Sequence, residues 1–325
     1  MPATFEDMLI KLREQEHPAL LDRKTVTADA EKHLTPWLDL IRDLVNYGTN
    51  LIVRCVQSSE RKTKDRVVLT ILLRQAVAML DSVEVLLSKG CSHTANLQMR
   101  ALFEAAVYID WILASDSERK ALYYHVHNLR RKRMWAGRTQ PGSPEATNFA
   151  AEMGKYGLNL TDDLKERSRQ QVQEIDQILA QPELAVINAD FDAANAKRRL
   201  KRDVAWYVPL GPQNFAAIAR ATGNSALYVI LYSGASEVML HSSSDDQHVQ
   251  FEGGKLTIKQ IRSLVGFEPV FRFSVSIALD LYRKILQEYR SGELPAFSRK
   301  YVEQWQKHYL NFVKINYEIA QVITI

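Results

Sequence analysis

Apolar residues recur at intervals of three and four through most of this chain, a period that predicts helices rather than strands. The cleanest run is Thr63–Ser88, where Val67, Val68, Ile71, Leu72, Ala76, Met79, Leu80, Val83, Leu86 and Leu87 recur at three and four and Gly90 follows the end. The next run, Ser92–Ala114, is apolar on nearly all sides with Ser92 at the N-cap position, which predicts a helix in the middle of a bundle. Arg100, Glu104 and Asp110 are its conspicuous polar members. Upstream, Phe5–Glu14 reads as an amphipathic helix capped by Thr4, and Lys24–Thr35 is polar and unassigned. Pro36 fits the first turn of a helix carrying Trp37, Leu38, Ile41, Leu44 and Leu51, with Gly48 as its weak point. Downstream, Ser115–Gly137 reads as a cation-rich helix, begun by Ser115 or Ser117. Helical spacing returns over Thr257–Gly266, over Pro269–Tyr289 with Val270, Phe273, Ile277, Leu281 and Ile285 on one face, and from Ser298 to about Ile319.

The breaks between these runs set the organisation. Gln140-Pro-Gly-Ser-Pro144 and Gly154–Thr161 interrupt the helical period, and the polar stretch Asp162–Ala180 reads as an exposed excursion, so Gly137–Arg202 is expected to be an insertion. The Ser-, Asp- and Gly-rich segment after His241 predicts a loop with a short hairpin around Gln250–Ile258. The expected fold is all-α, a multi-helix bundle with a helical insertion and at most one short β-hairpin. The expected division is residues 1–60 as N-terminal helices, 61–290 as a core with the insertion at about 138–203, and 291–325 as a C-terminal helix.

Composition narrows the class without naming a function. Of 325 residues, 46% are hydrophobic and 25% charged, ordinary values for a folded globular chain. Cys55 and Cys91 both lie in apolar patterns, which leaves no disulfide framework or cysteine-rich zinc site. No apolar run approaches the roughly 18 to 20 residues of a membrane span. The start, with acidic residues among Met1–Gln15, lacks the order of a signal peptide, so the expectation is a cytoplasmic protein with no membrane partner. A net charge of +4 does not by itself require nucleic acid. Two clusters concentrate it, Arg130-Arg131-Lys132-Arg133 with Arg138 beyond, and Lys197-Arg198-Arg199 with Lys201 and Arg202. Each is either a phosphate footprint or a solvated face.

The candidate chemistry lies in Ala205–Ser244. After a break at Gly223-Asn224, a helix over Ser225–His241 would stack Tyr228, Tyr232 and Ser236 on one face, with Glu237 and His241 as a second pair alongside. Together with Arg100 and Glu104, these residues suit proton transfer or nucleophilic work. They equally suit a buried hydrogen-bond network that fixes helix packing. Arg100 and Glu104, one turn apart, are also placed to pair with each other. A metal site from Glu104, Glu237 and His241 is a third reading. Phosphate loops, zinc-binding His-Glu-x-x-His pairs and serine elbows are all missing from the sequence, and no cofactor is implied.

Two resemblances add to this. Arg100-Ala-Leu-Phe-Glu104, a long insertion, Trp206, Ala219 and Gly223, and then Tyr228-x3-Tyr232-x3-Ser236-x4-His241 with a Ser-rich turn resemble a bacterial all-helical family of unknown function (DUF5677-like). That resemblance implies one grouping of Arg100, Glu104, Tyr228, Tyr232, Ser236 and His241, and occurrence beside mobile-element and phage-defence genes, but no reaction. Arg119 and His125, separated by five residues, are similar in spacing to the Arg/His motif of HEPN ribonucleases, helical proteins that cut RNA at a dimer cleft. The expected function is that of a defence- or stress-associated helical protein which, if it is an enzyme, cleaves RNA without a metal ion. His241 would act as base, Arg100 would hold the anion, and Arg130, Arg131 and Arg133 would contact RNA. The alternative is a non-enzymatic sensor or adaptor that binds a protein partner or a second copy of itself.

Overall fold

The first described helix begins earlier than its apolar stripe announces. In the computed structural model, residues 20–140, 144–198, 203–234, 248–252, 255–312 and 323–324 are described, and the expected helix Phe5–Glu14 lies outside them. Helix α1 runs over Arg23–Ser58, so Pro36 stands inside it rather than at its first turn. Two features carry the helix through the polar stretch. Asp22 caps it by accepting from the Thr25 N–H at 2.9 Å. Ala30 and Leu34 are fully buried and extend the stripe of Leu38 and Ile41 upstream by one turn each. The Thr35 hydroxyl, just before the proline, is satisfied within the helix by the Glu31 carbonyl. Pro36 removes one backbone bond, and the buried stripe on both sides holds the helix across that gap.

The chain divides into two compact units, each described by itself. The first comprises Met1–Ser59, Leu69–Asp110 and Thr222–Ile325. Its core is α1 packed along helix α3 (Arg74–Ser88) and helix α11 (Phe267–Tyr289). At Gly48 both α3 and α11 press on α1: a methyl group there would lie 2.7 Å from Val77 and closer still to the Tyr282 hydroxyl. The residue that looked like a weak point is the one the packing requires. Arg42 reaches the nearly buried Glu84 at 2.6 Å, tying α1 to α3 across the same seam. Beyond α11, helix α12 (Leu294–Lys300), a π-helical turn Tyr301–Trp305 and helix α13 (Gln306–Leu310) return to α1. There the Trp305 indole donates to Asp43 at 2.6 Å, and Tyr47 packs against Phe297 and Trp305. The helix expected to reach about Ile319 thus stops at Leu310, where Asn311 leaves helical geometry.

Thr257–Gly266 is not helical. Strand β2 (Lys255–Ile258) pairs antiparallel with β1 (Val249–Glu252) and with β3 (Ile323–Thr324), one strand more than the expected hairpin. Past β2 the backbone bonds to distant chain instead of to itself: Ile261 N–H donates to Leu20, and Ser263 N–H to Gly90. The Ser92 hydroxyl donates to the Ser263 carbonyl at 3.2 Å, so the expected cap residue too is bonded to distant chain. The apolar spacing was that of a segment pinned on its neighbours, a tertiary override of local pattern.

The second unit comprises Glu60–Val68 and Trp111–Ala221. Helix α2 (Thr63–Asp65) leads into a π-helical stretch, Arg66–Leu73, that continues into α3, so Thr63–Ser88 is one helical run as its pattern predicts. Helix α4 (Ser92–Ala114) ends in this unit, and α5 (Ser117–Gly137) follows. The Glu118 carboxylate accepts from the N–H groups of Thr63 and Lys64 at 2.7 and 3.2 Å, which caps α2. After α6 (Pro144–Lys155), helices α7 (Asp162–Leu179) and α8 (Pro182–Arg198) pack on α5 and bury Ile175, Leu179, Leu184, Ile187 and Phe191. The expected excursion therefore contributes core, because its few apolar residues all fall on one stripe. Helix α9 (Phe215–Ala221) closes the unit.

Candidate functional site

The polar members of α4 meet the segment that follows Gly223. Gly223 takes φ 75°, the left-handed turn expected at the break, and Ser225–Leu227 then forms one helical turn, α10. From Tyr228 to Gly234 the chain is π-helical, not α-helical. π-Helical hydrogen bonds span five residues, which widens the turn, and such turns gather at functional sites. Here the widened turn sets the rings of Tyr228 and Tyr232 in a stack, with centroids 5.3 Å apart and planes at 21°. Leu231 anchors the turn at 2% exposure.

Arg100 lies on this stack. Its guanidinium carbon is 4.0 Å from the centroid of the Tyr232 ring, a cation–π contact. Its Nε is buried and makes no hydrogen bond among the described residues. Glu104 accepts from the Tyr108 hydroxyl at 2.9 Å. Arg100 and Glu104, which their spacing allowed to pair, are each engaged elsewhere. The structure thus brings together Arg100, Tyr228 and Tyr232, with Glu104 one turn along α4. Ser236, Glu237 and His241 lie outside the described residues.

A second polar centre in the same unit was only half visible in the sequence. The Asp110 carboxylate accepts from Lys284 at 2.6 Å and from Asn224 at 3.3 Å, and Lys284 also reaches Asp280 at 2.7 Å. Burial pushes the Asp110 carboxyl above its ordinary value against the pull of Lys284. Burial opposes ionisation of Asp280 too, but bonds from Lys284 and Arg283 hold its carboxyl below the usual range. Asp110 stands out in the sequence as a charge in an apolar helix. Its partners, 114 and 174 residues away, have no local signature.

In the second unit, the other candidate residues separate. Arg119 is exposed and leans on the Tyr123 ring at 5.7 Å, while the Tyr123 hydroxyl donates to Asp190. Burial holds the His125 imidazole below its ordinary pKa, with Arg66 and Lys132 adding to the effect. Six positions along a helix at 3.6 residues per turn place Arg119 and His125 roughly a third of a turn apart, consistent with their different surroundings. Arg130 is spent inside the unit: it reaches Asp203 through Nε and NH2 at 2.9 and 2.8 Å, and Asp192 at 2.9 Å. Arg133 pairs with Asp176. Both arginines and all three carboxylates line one cleft of about 610 Å³. Arg131 and Lys132 are exposed, and the exposed Trp135 carries Arg138 over its ring at 4.0 Å. His127, which the sequence did not single out, is pushed down to about 4 by burial beside Arg130 and Arg131, with Asp203 opposing.

Trp206 and Ala219 have structural positions. Trp206 is buried edge-on against Trp111 and Tyr124, at 5.2 Å from each, and Ala219 is fully buried. Among the described residues no group of three or more His, Cys, Asp or Glu side chains is placed to hold a metal, and no helix is long and apolar enough to cross a membrane. A model of a family of unknown function (DUF5677) matches residues 66–255 of the chain. No curated protein and no solved structure matches it.

Proposed function

We propose, for a chain that belongs to the DUF5677 family, that the Arg100–Tyr228–Tyr232 cluster is an anion site and that its substrate is RNA, cleaved without a metal ion. The observation that carries this reading is the state of Arg100. Its guanidinium lies over the ring of a tyrosine that a π-helical turn positions, and its buried Nε has no partner among the described residues. A buried polar group left unsatisfied costs about 1 to 3 kcal/mol, and a phosphate oxygen would satisfy it. In the proposed reaction His241, which follows the π-helical turn in sequence, removes the proton of a ribose 2′-hydroxyl. The 2′-oxygen bonds to phosphorus, the bond to the 5′-oxygen breaks with that oxygen taking up a proton from water, and Arg100 stabilises the charge that develops on the phosphate. The products are a 2′,3′-cyclic phosphate end and a 5′-hydroxyl end.

Of the cations the sequence ranked first for RNA, Arg131 is the one this reading keeps. Arg130 and Arg133 face carboxylates, whereas Arg131, Lys132 and Arg138 flank the exposed Trp135, an aromatic face on which a base can stack. The test is incubation of the purified chain with labelled RNA in excess chelator. The expected result is cyclic-phosphate ends, lost in His241→Ala and in Arg100→Lys, since lysine has neither the planar fork nor the stacking face. Wild-type protein that neither cleaves nor binds RNA at low salt would sink this reading.

A second reading keeps a specific observation in its favour. The Asp110–Lys284–Asp280 and Arg130–Asp203–Asp192 networks show that this chain uses charged clusters to fix helices. On that reading the chain is a sensor or adaptor without catalysis, and Arg100→Lys costs stability instead of activity.

A further inference from the structure

Lys120, in the second turn of α5, is 7% exposed. Its ammonium donates to the Trp111 carbonyl at 2.5 Å and to the Ser115 hydroxyl at 3.2 Å, and it lies 4.6 Å from the centroid of the Trp111 ring. None of these partners is charged, and among the described residues Lys120 forms no ion pair. Buried lysines are almost always paired, because an ammonium taken out of water without a counter-charge is expensive. Two of its three donors are spent, which leaves one.

The ammonium lines a cavity of about 380 Å³, walled by Trp111, Pro209, Leu210 and Pro212, with Arg119 and Asp116 also at its surface. Two cations thus share a lining with Ser115, Asp116 and the side chains of Trp111, Pro209, Leu210 and Pro212. Asp116 sits at the N-terminal end of α5 in the left-handed region, φ 45° and ψ 41°, and its side chain does not cap the helix. A non-glycine residue in that region is strained, and such strain is found most often around binding sites. The cavity therefore lies where the helix dipole favours negative charge. Asp116 is exposed and marks the solvent side, where it would repel the extra charges of a polyphosphate.

We propose that this cavity binds a small monoanionic carboxylate with a compact apolar body, the carboxylate on Lys120 and Arg119 and the body against Trp111 and Leu210. Burial holds the Lys120 amine below its ordinary pKa, with Asp116 acting the other way, and a bound carboxylate would restore the charged form. The site is independent of the Arg100 cluster and of any action on RNA.

Three probes with one ring and different heads test it on the full chain: benzoate, phenyl phosphate and benzyl alcohol, titrated by calorimetry. Benzoate is expected to bind at least about tenfold more tightly than benzyl alcohol, the scale of one charge-assisted hydrogen bond. Lys120→Met is expected to erase that difference. Equal binding of benzoate and benzyl alcohol to wild type overturns the proposal, as does unchanged benzoate binding by Lys120→Met. Tighter binding of phenyl phosphate than of benzoate overturns the carboxylate assignment. If Lys120→Met does not fold, acetylation of the wild type decides, read peptide by peptide. Benzoate should slow modification of Lys120 and not of the exposed Lys132, and equal rates with and without benzoate refute the site.

Discussion

Single residues in this chain are committed in ways their types do not announce. His127 and Arg130 share α5, yet one is held neutral by burial and the other is held charged by two aspartates. With a folded pKa of about 4 against an ordinary 6.5, the unfolded state binds more protons than the folded one between those values. The contribution of His127 is thus fully present above pH 6.5 and is lost as pH falls towards 4, about 3 kcal/mol in all at about 1.4 kcal/mol per pKa unit. Denaturant unfolding at pH 7 and pH 4.5 should show this slope, and His127→Leu should flatten it. An unchanged slope in that variant would assign the acid sensitivity to other groups. Arg130→Gln should lower stability by about 2 to 3 kcal/mol, because it leaves Asp203 half-buried without its cation. Arg131→Gln, on the same helix, should change stability by less than about 0.5 kcal/mol. Under the proposed function, Arg131→Gln with Lys132→Gln and Arg138→Gln should weaken RNA binding and flatten its dependence on salt. Binding that survives the triple change intact would remove the Trp135 surface from the reading.

At the scale of elements, packing decides what propensity leaves open. Alanine is a better helix former than glycine by about 1 kcal/mol, so Gly48→Ala would stabilise an isolated α1. In the folded unit the added methyl collides with Tyr282 and Val77, and the expected result is a net loss of about 1 to 3 kcal/mol, the cost of overpacking. Gly137, at the end of α5 with nothing within 4 Å, is the control: Gly137→Ala should be neutral or stabilising in the same melting experiment. The π-helical turn Tyr228–Gly234 belongs to this scale too. Four-residue spacing of tyrosines reads equally well in an α-helix, and only the backbone of the folded chain shows which turn is present.

Across the whole molecule, the long-range charge network is the feature most open to test. Lys284 stands between Asp110 and Asp280, and Lys284→Met removes the cation from both. Asp110 is already pushed up by burial, and without Lys284 its folded pKa should rise further. A raised carboxyl contributes stability at low pH that is lost as pH rises through the folded value. Lys284→Met should therefore be most destabilised near neutral pH, by about 3 to 5 kcal/mol, and regain ground towards pH 4. A deficit that does not vary with pH would show that Asp110 stays ionised without its partner.

The sequence by itself determined the helical class, the run Thr63–Ser88, the central helix Ser92–Ala114 and the break at Gly223, because each rests on local periodicity or on one residue's backbone freedom. It also singled out Arg100, Glu104, Tyr228 and Tyr232, since charges in an apolar helix and tyrosines four apart are visible without coordinates. Tertiary structure alone decided the rest. Pro36 sits within α1 because burial of Ala30 and Leu34 carries the helix past it, and Thr257–Gly266 left the helical pattern because distant backbone offered it partners. Arg130 and Arg133 proved to be spent on aspartates, Asp110 found Lys284, and Lys120 formed no ion pair among the described residues. The physical reason is common to all of these. Whether a charge is free, paired or stranded depends on what lies within about 4 Å of it, and for these residues that is chain far away in sequence.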